Sequence, residues 1–347
     1  MSKNPVARSS LVAVLAAFLF GATTPIVHYF GADVGPFATA TLLYAGAAAG
    51  AAFRRRRVSE APLTVRDVPR LLLVAAFGAL LAPVAFAWGL QRTGGLATSL
   101  LLNLEAAFTV FLAFVFYREP VGKRVLSACA LMMAGGVVLS LRLGQGGAWS
   151  ALGMGAVLVA TLGWALDNTL TRPLADLDAR AVVFWKASVG AALSAAAALM
   201  AGDAWPGTVA LFALLASGAA GYGLSLRLYL QAQRTLGAAR TGSLFAVAPF
   251  IGAALAFVLG DRSGLALVVG ATVLFALAVY LHATEVHDHR HVHEPVEHEH
   301  AHVHDDGHHT HRHDPPFTGS HSHRHTHERL EHDHPHGVDV HHRHGHD

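Results

Sequence analysis

Histidine at alternate positions is the densest chemical signal in this chain. Of 25 histidines, 24 fall from His282 onward, in runs such as His287-x-His289-x-His291-x-His293 and His298-x-His300-x-His302-x-His304, followed by His308, His309, His311 and His313. Neutral imidazoles two residues apart, set among Asp and Glu, can wrap borderline divalent ions, so these positions are candidate ligands for zinc, nickel, cobalt or copper. A second, sparser set lies inside apolar runs, where ionisable groups are costly and usually face a cavity or a partner. Glu105, with Asn103 beside it, sits roughly ten residues into its run. The simpler reading is a carboxylate paired with a neighbouring helix; the sharper one is a proton-coupling or cation-binding group. Asp167 and Lys186 flank the loop near Asp176 at similar distances, so two antiparallel helices would bring them together as an ion pair. The alternatives are a substrate role, with Asn168 and Trp164 as lining neighbours, or a reach of Lys186 to Glu105. Trp88, Gln91, Tyr222 and Tyr229 complete the candidate cavity set, against the plainer reading of aromatic residues near span ends as interfacial anchors. For the isolated His28, a structural role outweighs metal ligation.

The elements that must position these groups follow from composition. A 347-residue chain that is 53% hydrophobic and 14% charged, with mean hydropathy +0.42, is too oily for water. Its charge is divided: residues 1–282 carry 20 Lys/Arg against 10 Asp/Glu, and residues 283–347 carry 5 against 13. A bilayer core about 30 Å thick needs roughly 20 apolar residues of helix. Ten runs of about that size appear, at 11–30, 37–53, 71–90, 96–117, 125–143, 152–170, 181–200, 209–230, 241–259 and 265–281. Helix is expected in each, because unsatisfied backbone groups are costly in lipid and the alternation of barrel strands is missing. The first run reads as an uncleaved helix after a short cytoplasmic segment, 1–8. Cytoplasmic loops gather Lys and Arg, and with the N-terminus inside they collect the arginines at 54–57, Arg66, Arg70, Arg118, Lys123, Arg124, Arg172, Arg180, Arg234 and Arg240, leaving Arg92, Arg142 and Arg262 opposite. An even number of spans then places both termini in the cytoplasm, at the cell (inner) membrane.

Sliding the chain against itself by 142 residues superimposes the first five runs on the last five without a gap. The offset pairs Gly21 with Gly163, Gln91-Arg92-Thr93 with Gln233-Arg234-Thr235, Gly95 with Gly237, Ala106 with Ala248, Phe108 with Phe250, and Glu119 with Asp261. Five is odd, so the second copy must enter the membrane from the other side, and inverted copies are a recurring plan of secondary transporters. The early Gly in each half, the Gln-Arg-Thr junction and the acidic residue closing the fourth span resemble the EamA-type transporters of the drug/metabolite transporter superfamily, over about residues 9–282. That resemblance implies ten helices and, in most members, export of amino acids, metabolites or toxic compounds. Where the copies differ, with Pro25 and His28 against Asp167 and Leu170, and Glu105 against Val247, the cavity is expected to be asymmetric.

The expected architecture is an all-α polytopic membrane protein with ten transmembrane helices as two inverted five-helix repeats, 9–146 and 147–282, followed by a disordered cytoplasmic tail, 283–347. The tail has too few apolar residues to offset its ordering entropy. Cys129 is the only cysteine, so no intrachain disulfide forms, and basic residues scattered between apolar runs argue against nucleic-acid binding. No phosphate-binding loop, zinc-protease motif or nucleophile elbow is present, so neither an enzyme nor an ATP-driven pump is expected, and no cofactor is required. The leading expectation is an exporter of a small organic solute or metabolite, with proton exchange as a driving force. A divalent metal-ion exporter served by its tail is the rival, and a non-transporting membrane metal sensor is a third reading. The small residues of Gly46-Ala-Ala-Ala-Gly50 suit close helix packing, either within one chain or in a homodimer.

Overall fold

The computed structural model describes residues 5–52, 62–118, 121–140, 151–174, 177–236, 238–261 and 265–283, with four short tail segments at 290–293, 296–302, 321–327 and 330–333. Its helices fall into ten rods among the described residues. Span 1 is two helices, Pro5–Gly21 and Thr23–Phe30; span 2 is Pro36–Ala52; span 3 runs through Val68–Ala75, Ala76–Leu81 and Ala82–Thr93; span 4 is Gly95–Leu101 and Leu104–Tyr117; span 5 is Lys123–Ser140. Span 6 is Ala151–Thr171; span 7 is Ala179–Ala201; span 8 runs through Thr208–Ser217, Gly218–Leu224 and Ser225–Leu236; span 9 is Ala238–Phe245 and Ala248–Val258; span 10 is Leu265–Ala283. Among the described residues, six stretches are long and apolar enough to cross a membrane: Ala7–Phe30, Val65–Thr93, Gly95–Tyr117, Ala151–Leu174, Ala179–Ala201 and Thr208–Tyr229. The body is a polytopic helical membrane protein. Its outer surface agrees, since large apolar side chains such as Leu11, Leu152, Val209 and Val258 are more than 70% exposed. In water such a surface would aggregate; in lipid it is the solvated face.

The packing repeats itself. Span 3 packs on span 6 as span 8 packs on span 1, and span 4 packs on span 6 as span 9 packs on span 1, while spans 2 and 7, 4 and 9, and 5 and 10 meet as pairs. The paired rods run antiparallel. Asp203, just past the end of span 7, accepts hydrogen bonds from the Phe37 and Ala38 N–H groups at the start of span 2, at 2.8 and 3.0 Å, and the Gly35 N–H donates to the Ala204 carbonyl at 2.9 Å. Asp261, past the end of span 9, accepts from the Leu96 N–H at the start of span 4, at 3.0 Å.

Small residues allow the close approach. A Cβ on Gly46 would lie 2.1 Å from the Leu215 carbonyl oxygen, and one on Gly218 would lie 1.9 Å from that of Leu43. The Gly46–Gly50 stretch therefore packs span 2 against span 8 within one chain.

Two wide, π-helical turns, Ala76–Leu81 in span 3 and Gly218–Leu224 in span 8, begin 142 residues apart, so the repeat read from sequence is matched by a repeat of backbone irregularity. Such turns occur mostly as single insertions within α-helices and are frequent at functional sites.

Among the described tail segments, Arg290–His293 pairs antiparallel with Leu330–Asp333, and Val296–His302 with His321–His327.

Candidate functional site

Span 4 breaks at Leu102–Asn103, and Glu105 stands in the first turn of the half-helix that follows. Its N–H turns back to the Leu102 carbonyl at 3.1 Å, a three-residue bond, and the Asn103 side chain donates to the Leu100 carbonyl at 3.0 Å, closing the first half. A helix start in mid-span presents N–H groups and the positive end of a dipole, which favours a carboxylate. Span 9 is interrupted likewise, at Ala246–Val247.

Glu105 reaches across to span 6, where the Asn168 amide donates to its Oε1 at 2.8 Å. The residue before Asn168 is Asp167, whose Oδ2 is paired with Lys186 of span 7 and whose Oδ1 accepts from the Thr171 hydroxyl at 3.2 Å. The side chains of Lys186 and Asp167 are 12% and 8% exposed. The ion pair expected from the spacing about the 6–7 loop therefore forms, and Lys186 is spent on Asp167 rather than bonded to Glu105.

The wide turn of span 3 backs onto this cluster. The Ala82 N–H bonds to the Phe77 carbonyl, and the donor that would serve the Gly78 carbonyl belongs to Pro83, which has none. The Gly78 carbonyl instead accepts from the Tyr44 hydroxyl and, at 3.2 Å, from the Trp164 indole. Gly78 has no side chain to spare room for: a Cβ there would fall 2.3 Å from the Asp167 carboxyl.

From Tyr44 and Trp164 a run of rings extends through the interior. Tyr44 lies 5.4 Å from Tyr222, Trp164 lies 6.3 Å from Tyr222 and 5.5 Å from Phe86, and Phe20 lies 5.7 Å from Tyr222. Phe245 continues the run, 5.5 Å from Phe20 and 5.1 Å from Tyr229.

The structure thus gathers Glu105, Asp167, Asn168, Lys186, Trp164, Tyr222 and Tyr229, and holds Asn103 at the break as a structural cap. It does not gather Trp88 or Gln91. The Arg92 guanidinium stacks 3.8 Å above the Trp88 ring, and the Gln91 amide donates to the Gly31 and Val34 carbonyls at 2.8 Å, tying down the 1–2 loop. Both residues sit in the last turns of their helix, where loop carbonyls and a neighbouring arginine are nearer than the cluster. Tyr44 and Gly78 are functional candidates that sequence reasoning missed. The usable signals were a lone tyrosine hydroxyl in an otherwise small-residue span and a proline five residues after a glycine. Of the tail histidines, His287, His289, His304, His308, His309, His311 and His313 lie outside the described residues, while His291, His293, His298, His300 and His302 fall on the two ladders.

Against this geometry the comparisons with known proteins agree. The pattern of the EamA-like transporter family matches twice, at residues 7–141 and 151–282. An uncharacterized transporter of Methanothermobacter thermautotrophicus is 30% identical over 217 residues, a match covering 60% of this chain and 62% of the relative's length. A protein of known crystal structure superimposes with a TM-score of 0.55 at 17% identity, over 79% of this chain and 95% of that one, a likeness of fold alone.

Proposed function

The chain belongs to the EamA-like transporter family, and from that premise we propose that it is a secondary transporter exporting a small organic solute or metabolite by alternating access, in exchange for protons. The observation that carries the reading is the Asn168–Glu105 hydrogen bond beside the Lys186–Asp167 pair, because it sets charged groups from both halves at a helix break. Broken helices around a central site, with two inverted halves that rock about it, are the working parts of this mechanism. In this reading all ten rods cross the membrane, the halves are 9–146 and 147–282, and both termini face the cytoplasm. Glu105 releases its proton on one side and takes it up on the other.

The test is solute flux in proteoliposomes under an imposed proton gradient, with a panel of amino acids, neutral metabolites and amines. Flux above background that Glu105→Gln uncouples from the gradient supports the proposal; background flux for every solute rejects it.

The tail is assigned the buffering of divalent metal. Its second ladder registers His298, His300 and His302 opposite His325, His323 and His321, and alternating imidazoles of this kind suit borderline divalent ions. In the body, among the described residues, no group of three or more His, Cys, Asp or Glu could hold a metal, which favours metal on the tail over metal in the transport path. Removal of residues 283–347 should abolish zinc binding by the purified protein and leave solute flux unchanged. Loss of flux together with zinc tolerance in cells would restore the metal-exporter reading.

A further inference from the structure

We infer that the protein stands open towards its near face, where span 1 begins, and that the crossing of Ser99 on span 4 with Gly252 on span 9 seals the far face, more tightly than the repeat allows at the near one. This rests on the transporter reading of two rocking halves, and adds the state held without solute and the residues that hold it.

The far and near halves of spans 4 and 9 pack differently. In the far half, Gly95–Leu101 packs on Ala248–Val258, and Thr23–Phe30 of span 1 packs on both. In the near half, Leu104–Tyr117 packs on spans 5 and 6, and Ala238–Phe245 packs on spans 1, 8 and 10. No such packing joins these two among the described residues. Pro5–Gly21 goes with the second set, on spans 8 and 9. Two bundles that close together at one face therefore stand apart at the other. Phe111 and Phe114, on the near half of span 4, are 60% and 54% exposed, whereas Ala253 and Ala256, their counterparts 142 residues on, are 9% and 2% exposed.

The far crossing is close because its contact residues are small. A Cβ on Gly252 would lie 2.8 Å from the Ser99 Oγ and 2.8 Å from the Gly21 carbonyl oxygen, and one on Gly95 would lie 3.3 Å from the Ala256 Cβ. Shifted by the 142-residue repeat, Ser99, Gly252 and Ala256 become Thr241, Val110 and Phe114. Val110 cannot come as near to a partner as Gly252 does, so a closed near face holds its helices farther apart and loses contacts that fall off steeply with separation.

Hydrogen bonds favour the same face. Asp261 ties span 9 to span 4 through the Leu96 N–H, beside the crossing, and Asp203 ties span 7 to span 2. At the near face, the start of span 7 is the counterpart of the start of span 2, yet it is capped from within, by Asp178 on the Arg180 and Ala181 N–H groups. The seal is also reversible. The Ser99 hydroxyl is buried at the crossing with no hydrogen-bond partner among the described residues, a cost that water relieves when the far face opens.

Distances between spin labels on the full chain, in nanodiscs without solute, test this. With Cys129 replaced by serine, labels on Arg8→Cys and Lys123→Cys read the near face, and labels on Leu152→Cys and Ala266→Cys read the far face, all four positions being exposed. Gly252→Val should lengthen the far pair and shorten the near pair together, raising the far-open population about tenfold from a minor share. Asp203→Ala combined with Asp261→Ala should shift both pairs in the same sense. Val110→Gly, which leaves the seal intact, should do likewise by letting the near face close, and it stands in should Gly252→Val fail to fold. Lengthening of both pairs, which is loosening rather than rocking, overturns the inference, as do distances unmoved by Gly252→Val and Val110→Gly alike. Reciprocal shifts in a chain that carries no solute keep it and remove the transporter reading, whereas flux through a chain whose distances never shift removes it and leaves that reading standing.

Discussion

The carboxylate of Asp203 accepts from the Phe37 N–H at 2.8 Å, and with that bond the end of span 7 caps the start of its counterpart in the other half. Asp261 does the same for span 4 through Leu96. Each supplies an acceptor to N–H groups that a helix start leaves without one, and places negative charge at the positive end of the dipole. A side-chain cap of this kind contributes about 1 kcal/mol. Asp203 takes two N–H groups in these bonds. Asp203→Ala should therefore lower the thermal midpoint in detergent, and Asp203→Asn should recover part of the loss. An unchanged midpoint for Asp203→Ala would show that the cap carries no net stability.

Close packing at glycine gives a prediction with opposite signs at two sites. Gly218→Ala would drive a methyl group to 1.9 Å from the Leu43 carbonyl oxygen, a backbone atom that cannot step aside cheaply. Overpacking of this type costs about 1–3 kcal/mol or more, so the variant should give little monodisperse protein. Gly155 lies within span 6, and a Cβ there would meet nothing within 4 Å. Gly155→Ala should be stabilising by roughly 0.5–1 kcal/mol, because alanine loses less entropy in a helix interior. Size-exclusion yield and thermal melting compare the two directly.

Much of this arrangement was legible in the residues. The 142-residue offset is carried by Gln-Arg-Thr triplets and acidic span ends, and the wide turns at Ala76 and Gly218 repeat at that same interval. The Asp167–Lys186 pair follows from two positions equally far from one loop. What stayed hidden was which face of each span looks inward. A continuously apolar run has no polar stripe to mark its buried side, so Tyr44 stood out as a lone tyrosine but not by the partner its hydroxyl would find, and Trp88 and Gln91 looked as eligible for the cavity as Tyr222. The half-helix break before Glu105 was equally silent, since Leu102-Asn103-Leu104 contains neither proline nor glycine.

The Asp167–Lys186 pair separates a structural role from a functional one. Removing one member of a buried pair strands the other, at about 3–5 kcal/mol, whereas replacing both by uncharged groups of similar size is often neutral or better. Lys186→Met alone should be severely destabilised, and Lys186→Met combined with Asp167→Asn should regain most of the lost midpoint. If the pair only braces spans 6 and 7, the double variant also regains solute flux. A double variant that folds but does not transport assigns the pair to the transport cycle, where its charges would have to part.

The tail offers a test that depends on pH. With neutral imidazoles, residues 283–347 carry 5 basic against 13 acidic side chains and are anionic. Histidine titrates near pH 6.5, so at about pH 6 more than half of so many imidazoles carry charge and the tail becomes cationic. The sign of its interaction with anionic lipid therefore reverses, from repulsion at neutral pH to attraction on acidification, with roughly 1 kcal/mol gained for each basic group near the surface. A dye on a cysteine added near residue 340, with Cys129 replaced by serine, should move towards the bilayer of phosphatidylserine nanodiscs as pH falls from 7.5 to 5.5. It should not do so in phosphatidylcholine, and 0.5 M salt should reverse the movement by screening it. Zinc at neutral pH should leave the dye in place if the metal is chelated within the tail. Movement that ignores pH would show that histidine charge does not govern where the tail lies.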